Sequence, residues 1–543
     1  MTDAIDPGTL PIRTSAASLA RAGLIVSATY LLARVLGYVR VLIIGTTFGA
    51  GPDLDAFFAA FRLPDLIFQL VAAGAVASAL VPMVSGLVAT GAQARAWRVV
   101  STVTNLMLVG LAVLAVIAFI AAEPIVAAIT PGFDPAQQAH TVELTRIMLA
   151  APVLLALGSV ATSALNANRR FSASAVAPVV YNLAIIAGAV LLGGSLGVAG
   201  IAIGVVAGSA AHLLVQLPAL FRAGYRYVPR IDLVDQKARD ALALMGPQIL
   251  GLGATQLTFA VMTSLASTVG AGAVTAYSIA YALLQIPLGV IGMPLGIVIF
   301  PSLSQEVAIG RTGNYLELLT RSLRILIVVM LPITALGMVL RLQIVELLVG
   351  YGRFDQAAVQ LTADTFLLFL LGLTAHSAIG VLARAFYASS NTRIPVAAAV
   401  LAVFVNTSVA VALVGSLGLP AIGLAIATGA WSEALALAWL LRRRHPEFDV
   451  GGLASVGLRS AVAAVVAAAG ASGVLLLFGG LSGASVAGGP AVEPGRLIIL
   501  LEAAVAAVAG GLAYLGAALA LGIPDLPALL SILAGLVPGR GRR

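Results

Sequence analysis

Fourteen long apolar stretches follow one another along this chain, with short polar breaks between them. They fall at 23–48, 56–88, 99–122, 142–165, 174–193, 195–219, 241–267, 273–302, 325–340, 358–388, 395–414, 419–441, 459–478 and 497–522. A bilayer-crossing helix needs about 20 mostly apolar residues. In lipid every backbone polar group must find a partner within the protein, so only helices and closed barrels can span. The runs are continuous rather than alternating, which excludes barrel strands. The expected fold class is therefore an all-α polytopic membrane protein with 14 transmembrane helices. Composition agrees: 60% of residues are hydrophobic and 10% charged, against about 45–50% and 25% in soluble domains. The net charge is +8, but the basic residues are scattered, with no cluster interleaved with aromatics, and no nucleic-acid partner is expected. With no cysteine, disulfides and thiol chemistry are excluded. The first twenty residues are polar and carry Asp3, Asp6 and Arg13, so the first span is expected to be its own uncleaved targeting signal.

Arginine placement sets the orientation. With a cytoplasmic N-terminus, both tails and the even-numbered loops hold 22 of the 30 Lys and Arg residues, and the opposite loops hold three, Arg341, Arg353 and Arg496. The remaining five, Arg34, Arg40, Arg62, Arg146 and Arg384, lie in or at the edge of spans. This positive-inside bias places both termini in the cytoplasm.

The chain also repeats itself. Gly49-Ala50-Gly51 recurs as Gly270-Ala271-Gly272, Phe133-Asp134 as Phe354-Asp355, and Gly194-Ser195-Leu196-Gly197 as Gly415-Ser416-Leu417-Gly418, all offset by 221 residues. The repeat contains six spans, an even number, so the two copies have the same orientation. Parallel repeats of this kind build two-lobed transporters with a site near the midplane between the lobes. The expected domains are an N-terminal six-helix lobe over 1–220, a cytoplasmic linker over 221–240, a second six-helix lobe over 241–445, and two further helices with a basic tail over 446–543. Pro64 and Pro82 in span 2, and Pro287, Pro294 and Pro301 in the equivalent span 8, are expected to bend those helices.

Ionisable residues inside spans are expensive and mark cavities. Arg34 lies about 17 Å from the cytoplasmic end of span 1 at 1.5 Å per residue, too deep to reach the interface comfortably. Arg40 is six residues on, roughly 120° from the same face, and a kink at Gly37 would bring the two together. Arg62 has Asp65 one turn away, so neutralisation by Asp65 or Asp55 stands beside a substrate-facing role. Arg146 is expected to pair with Glu143, and Arg384 to reach toward the cytoplasmic interface. Asp364, Glu433 and Glu502 are isolated carboxylates, and His212 and His376 lack ligand spacing, so no metal is expected. No phosphate-binding glycine loop exists and the single lysine is Lys237, so this chain does not hydrolyse ATP and no cofactor is expected. Arginines without an acid cluster favour an anionic substrate, since guanidinium forks match phosphate.

Several stretches resemble the MurJ/MviN family of lipid II flippases, within the multidrug/oligosaccharidyl-lipid/polysaccharide exporter superfamily. They include ARVLGYVRVLIIGTTFGAGPDLDAFFAAFRLP (33–64), the segment from Pro131 to Asn182, LLQIPLGVIGMPLGIVIFPSLSQ (283–305), FDQAAVQLTADTF and ARAFYASSNTRIPV. The resemblance covers about residues 20 to 445. It implies a flippase that moves a lipid-linked peptidoglycan precursor across the cytoplasmic membrane by alternating access, with cavity arginines on the pyrophosphate. The residues matching the family's motifs are Arg34 and Arg40 in span 1, Asp55 and Arg62 in span 2, and Arg384 in span 10. Spans 13 and 14 match in number and position, which implies a groove for the polyprenyl tail. Membrane lipids and cell-wall synthesis proteins are the further partners implied. The chain departs from the pattern at Phe68, Gln69 and Ala73, where relatives carry a basic pair and a glutamate. It departs again at Tyr281 and Ala282, where they carry an acid and an arginine. The alternatives are flipping of another polyprenyl-pyrophosphate glycan, multidrug antiport, which a cationic cavity disfavours, and a transport-inactive scaffold of the cell-wall machinery.

Overall fold

The computed structural model describes residues 16–71, 75–232, 234–236, 239–240, 256–482 and 495–526. Among the described residues, eleven helices are long and apolar enough to cross a membrane, and the pair Gln356–Leu370 and Leu373–Ala388, bent by 44°, makes a twelfth. Two expected spans remain. Span 2 comprises Pro52–Val71 and Ala75–Ala89, and much of span 7 lies outside the described residues. A fourteen-span chain is compatible with this arrangement.

Helix limits depart from the apolar runs where a helix continues into a polar stretch. Span 9 is the clearest case, running over Thr312–Val339. Its first turns bury Tyr315, Leu316, Leu319 and Leu323 at helical spacing, while Glu317 and Arg321 face outward. A hydropathy criterion misses such an amphipathic end.

The 221-residue repeat appears as matched local chemistry. Asp134 accepts the Gln137 N–H at 2.9 Å, and its counterpart Asp355 accepts the Ala358 N–H at 2.8 Å. Both are N-caps satisfying an otherwise orphaned donor at a helix start. Gly197 and Gly418 take nearly the same backbone conformation, φ 57°, ψ −141° and φ 63°, ψ −144°, a region that side-chain-bearing residues avoid.

The first six spans pack around two apolar clusters, one with Leu54, Phe57, Leu144 and Ile201, the other with Val84, Trp97, Val100 and Leu165. The next six pack mainly around Tyr277, Leu319, Phe369, Phe386 and Leu437. The last two, Val450–Ser482 and Arg496–Ala520, pack on span 9, where the Tyr514 hydroxyl donates to the Val328 carbonyl at 2.6 Å. The connection after span 6 is fastened to the end of span 3. Arg95 forms a two-bond fork with Asp235 at 2.8 and 2.9 Å, and the Asn105 amide donates to the Val228 and Arg230 carbonyls. Tyr225 is enclosed there, and burial pushes its phenol above the ordinary value.

Spans 5 and 8 each contain one π-helical turn, Gly188–Leu192 and Leu288–Gly292. The second follows Pro287, whose missing N–H and ring oppose a regular α-helical ladder. Arg146 is a correction: it pairs with Glu123 at 3.2 Å, beneath the Phe119 ring, and not with Glu143. The side chain crosses to a neighbouring helix rather than staying on its own.

Candidate functional site

The two halves meet first on the face that bears the odd-numbered loops. Span 8 begins at Ala273 after Gly270 and Gly272, both at positive φ. A Cβ at Gly272 would meet the Ala50 carbonyl, so the close approach of the halves requires glycine. The cap of this helix comes from the other half. Asp55, fully buried, accepts the Gly272 N–H at 2.6 Å, the Thr275 N–H at 2.7 Å and the Thr275 hydroxyl at 2.6 Å. A carboxylate at a helix N-terminus also meets the positive end of the helix dipole. Reciprocal contacts flank it. The Gly132 N–H donates to the Ser267 hydroxyl at 3.2 Å, and the equivalent Arg353 N–H donates to the Thr46 carbonyl at 2.9 Å. Both residues of each pair are related to the other pair by the 221 offset. Asp55 was expected among the substrate-binding residues. In this state its oxygens are engaged by the span 8 backbone, so it is a cross-half clasp.

Deeper in the membrane the clasp gives way to cations. Arg62 reaches from span 2 into the second half, donating to the Thr263 hydroxyl at 2.9 Å and the Ser278 hydroxyl at 3.3 Å, with Phe259 and Tyr277 rings each 5.6 Å from its guanidinium carbon. Neither Asp55 nor Asp65 forms an ion pair with it. Arg34 is exposed at the same junction. Its Nε approaches the Tyr38 hydroxyl at 3.3 Å and its Nη2 the Met293 sulfur at 3.5 Å, while Tyr38 donates to the Gln285 carbonyl at 2.9 Å. The guanidinium lies against Gly289 in the span 8 π-turn, where any Cβ would collide with it.

Arg40 points elsewhere. It lies 5.8 Å from the Tyr181 ring and lines a cavity of about 300 Å³ inside the first half, shared with Asp65, Phe68, Tyr181 and His212. The helix Ala16–Phe48 is continuous, so no break at Gly37 joins Arg34 and Arg40. Their six-residue separation puts one at the junction and the other in the first half. Arg384 does not reach outward along its helix. Its Nη1 donates to the Gly380 carbonyl at 2.7 Å and sits against Gly296 of span 8.

The positions that depart from the family pattern are apolar or neutral in place. Phe68 walls the Arg40 cavity, and Gln69 donates to Asp65 at 3.5 Å. Tyr281 packs edge-on against Phe259 and Phe369. Ala73 lies outside the described residues. Sequence reasoning missed Gly289, Tyr181, Thr263 and Ser278. Small and hydroxyl residues are too common in spans to stand out, and only a guanidinium beside them shows their use.

The model of the family described as lipid II flippase MurJ matches residues 44–486. The chain belongs to this family. It is 33% identical over 440 residues to the lipid II flippase MurJ of Burkholderia cenocepacia, covering 79% of this chain and 84% of that one. It is 28% identical over 423 residues to the probable lipid II flippase MurJ of Buchnera aphidicola, covering 77% and 83%. Among solved structures it resembles a lipid II flippase MurJ in an inward closed conformation, with a TM-score of 0.76, 19% identity and coverage of 93% and 100%. An inward-facing multidrug transporter of the wider superfamily gives a TM-score of 0.66 at 16% identity, over 78% and 95%. At these identities the two structures establish the fold. The family is one of transporters rather than enzymes, and the chain is a multi-pass membrane protein.

Proposed function

We propose that this chain flips lipid II across the bacterial cytoplasmic membrane by alternating access, with both termini cytoplasmic. The observation that carries the reading is a set of span cations that form no ion pair. Among the described residues, no carboxylate lies within ion-pair distance of Arg34, Arg40 or Arg62. Cations at membrane depth persist when they face a cavity or an anionic ligand. A pyrophosphate supplies that anion, and guanidinium forks suit it.

In this reading residues 1–220 and 241–445 are the two moving lobes and 221–240 joins them. The segment 446–543 holds the lipid tail. Arg34 and Arg62, at the junction, and Arg40, just inside the first lobe, are the pyrophosphate residues. Asp55 holds the odd-loop face shut while the substrate enters from the other side, and Arg384 sets the packing of span 10 on span 8. The test is complementation in bacteria depleted of their own lipid II flippase, with protein levels checked. Wild type is expected to rescue, and Arg34→Ala combined with Arg40→Ala is expected not to. Equal rescue by the double variant would place the pyrophosphate elsewhere.

A further inference from the structure

Asp65 has no part in the reading above, yet it is a carboxylate ten residues along span 2 from Asp55, about 15 Å deeper at 1.5 Å per residue. Its two partners are amides. Gln69 of its own helix donates at 3.5 Å, and Gln256, from the other half, donates at 3.4 Å. Among the described residues no cation is within ion-pair distance of it. Asp65 opens on the roughly 300 Å³ cavity where Arg40, Tyr181 and His212 also stand. The His212 Nδ1 is buried and has no hydrogen-bond partner among the described residues. Gly158 leaves room for that imidazole, since a Cβ there would strike it.

We propose that this first-half cavity is a proton-binding site, with Asp65 as the acceptor, and that its occupancy sets how firmly the two halves hold together. A proton from water reaching the cavity adds to a carboxylate oxygen. One O–H bond forms, the carboxylate goes from negative to neutral, and the cavity that also holds Arg40 gains one positive charge. Chains of Asp and His inside membranes serve as proton relays in pumps and transporters. The titratable and charged groups around Asp65 are Arg40 of span 1, Tyr181 of span 5 and His212 of span 6, which share its cavity, and Arg62, three residues back on span 2. On span 8 the Tyr277 ring lies 5.6 Å from the Arg62 guanidinium carbon, with the Tyr281 ring 6.4 Å beyond it. The ionised carboxylate accepts from Gln256 and so ties the halves. The protonated form is a weaker acceptor, and the junction loosens. It also leaves Arg40 and Arg62 free of a competing negative charge. Proton binding and anion binding at those arginines therefore favour each other; this last step alone rests on the pyrophosphate reading.

The test does not use the substrate. The chain has no cysteine, so Ala136→Cys and Thr268→Cys, exposed on opposite halves of the odd-loop face, can carry a spin-label pair. In the full chain, the longer-distance population is expected to rise several-fold from mildly alkaline to mildly acid pH. Asp65→Asn, an isosteric neutral side chain, is expected to stay near the acid distribution at every pH. Arg40→Gln removes a stabilising cation and is expected to move the midpoint up by about one pH unit. Loss of the pH response in Asp65→Asn supports the site, and a response like the wild type's overturns it. If Asp65→Asn does not fold, Arg40→Gln decides: an upward midpoint supports the site, and an unmoved or lowered one overturns it. A pH-independent wild type also overturns it, whether or not lipid II is the substrate.

Discussion

Spans 1–2 and spans 7–8 are copies of one another, yet they have kept different things. Both keep the glycines that let the halves approach, Gly49 against the Arg353 carbonyl and Gly272 against that of Ala50. Only the first copy keeps charge. Arg40, Asp55, Arg62 and Asp65 become Val261, Ala276, Leu283 and Ile286 at the 221 offset. Backbone geometry constrains both copies alike, because a repeat that loses a turn glycine no longer closes. Charge constrains only the copy that uses it, since a buried ion without a function is a net loss. The second copy has become a receiving surface. Its hydroxyls take Arg62, its π-turn takes Arg34, and its helix start takes Asp55.

The comparison predicts its own breaking points. The largest effect is expected at the cations. Removing Arg34 or Arg40 should forfeit at least one charge-assisted bond to pyrophosphate, roughly 1.5–3 kcal/mol, or about ten- to a hundred-fold in affinity. Arg34→Lys should recover only part, because an ammonium cannot make the same fork. Isothermal titration with a polyprenyl pyrophosphate checks both. Next is the clasp. Asp55→Ala leaves three donors at the start of span 8, from Gly272 and Thr275, without their acceptor, two of them main-chain. That should weaken closure of the odd-loop face by about 1–3 kcal/mol. The readout is labelling of Thr268→Cys by a membrane-impermeant thiol reagent, expected to speed up markedly in Asp55→Ala. An unchanged rate would mean the clasp does not hold the face shut.

Smaller effects sharpen the contrast. Gly289→Ala puts a methyl where the Arg34 guanidinium lies, and a several-fold loss of affinity with normal expression is expected. A loss of expression instead would make Gly289 a packing residue of the π-turn. Truncation after Arg444 should leave an inserted protein that no longer transports. The Tyr514–Val328 bond and the apolar face of span 9 would be lost, but lipid covers apolar helix surface nearly as well as another helix does. Degradation of the truncated chain would show that spans 13 and 14 are structural.

Much of the fold was legible because lipid imposes a simple code, and span limits came within a few residues wherever a helix ended with its apolar run, as at Leu340 and Ala388. The repeat was legible because capping residues and turn glycines are fixed by backbone chemistry. The site was legible only as a set of cations. Their partners depend on which face a side chain takes after a helix has docked on another half, and on rotamers that spacing does not set. Asp55 looked like a site acid beside Arg62, one of a pair seven residues apart on one helix. In fact each crosses separately to the second half. Arg146 shows the same limit: the acid three residues before it was plausible, and the acid on the next helix is its partner.

The central claim is that the first half's arginines hold the pyrophosphate while the second half supplies none. The direct measurement is lipid II affinity for purified wild type, the Arg34→Ala/Arg40→Ala double variant and Ala282→Arg. The account predicts tight binding in the wild type and a loss of at least about tenfold in the double variant. Restoring a guanidinium at 282 should tighten binding, or leave it unchanged where Tyr281 offers no acid to offset the new charge. A double variant that binds as tightly as the wild type would contradict it.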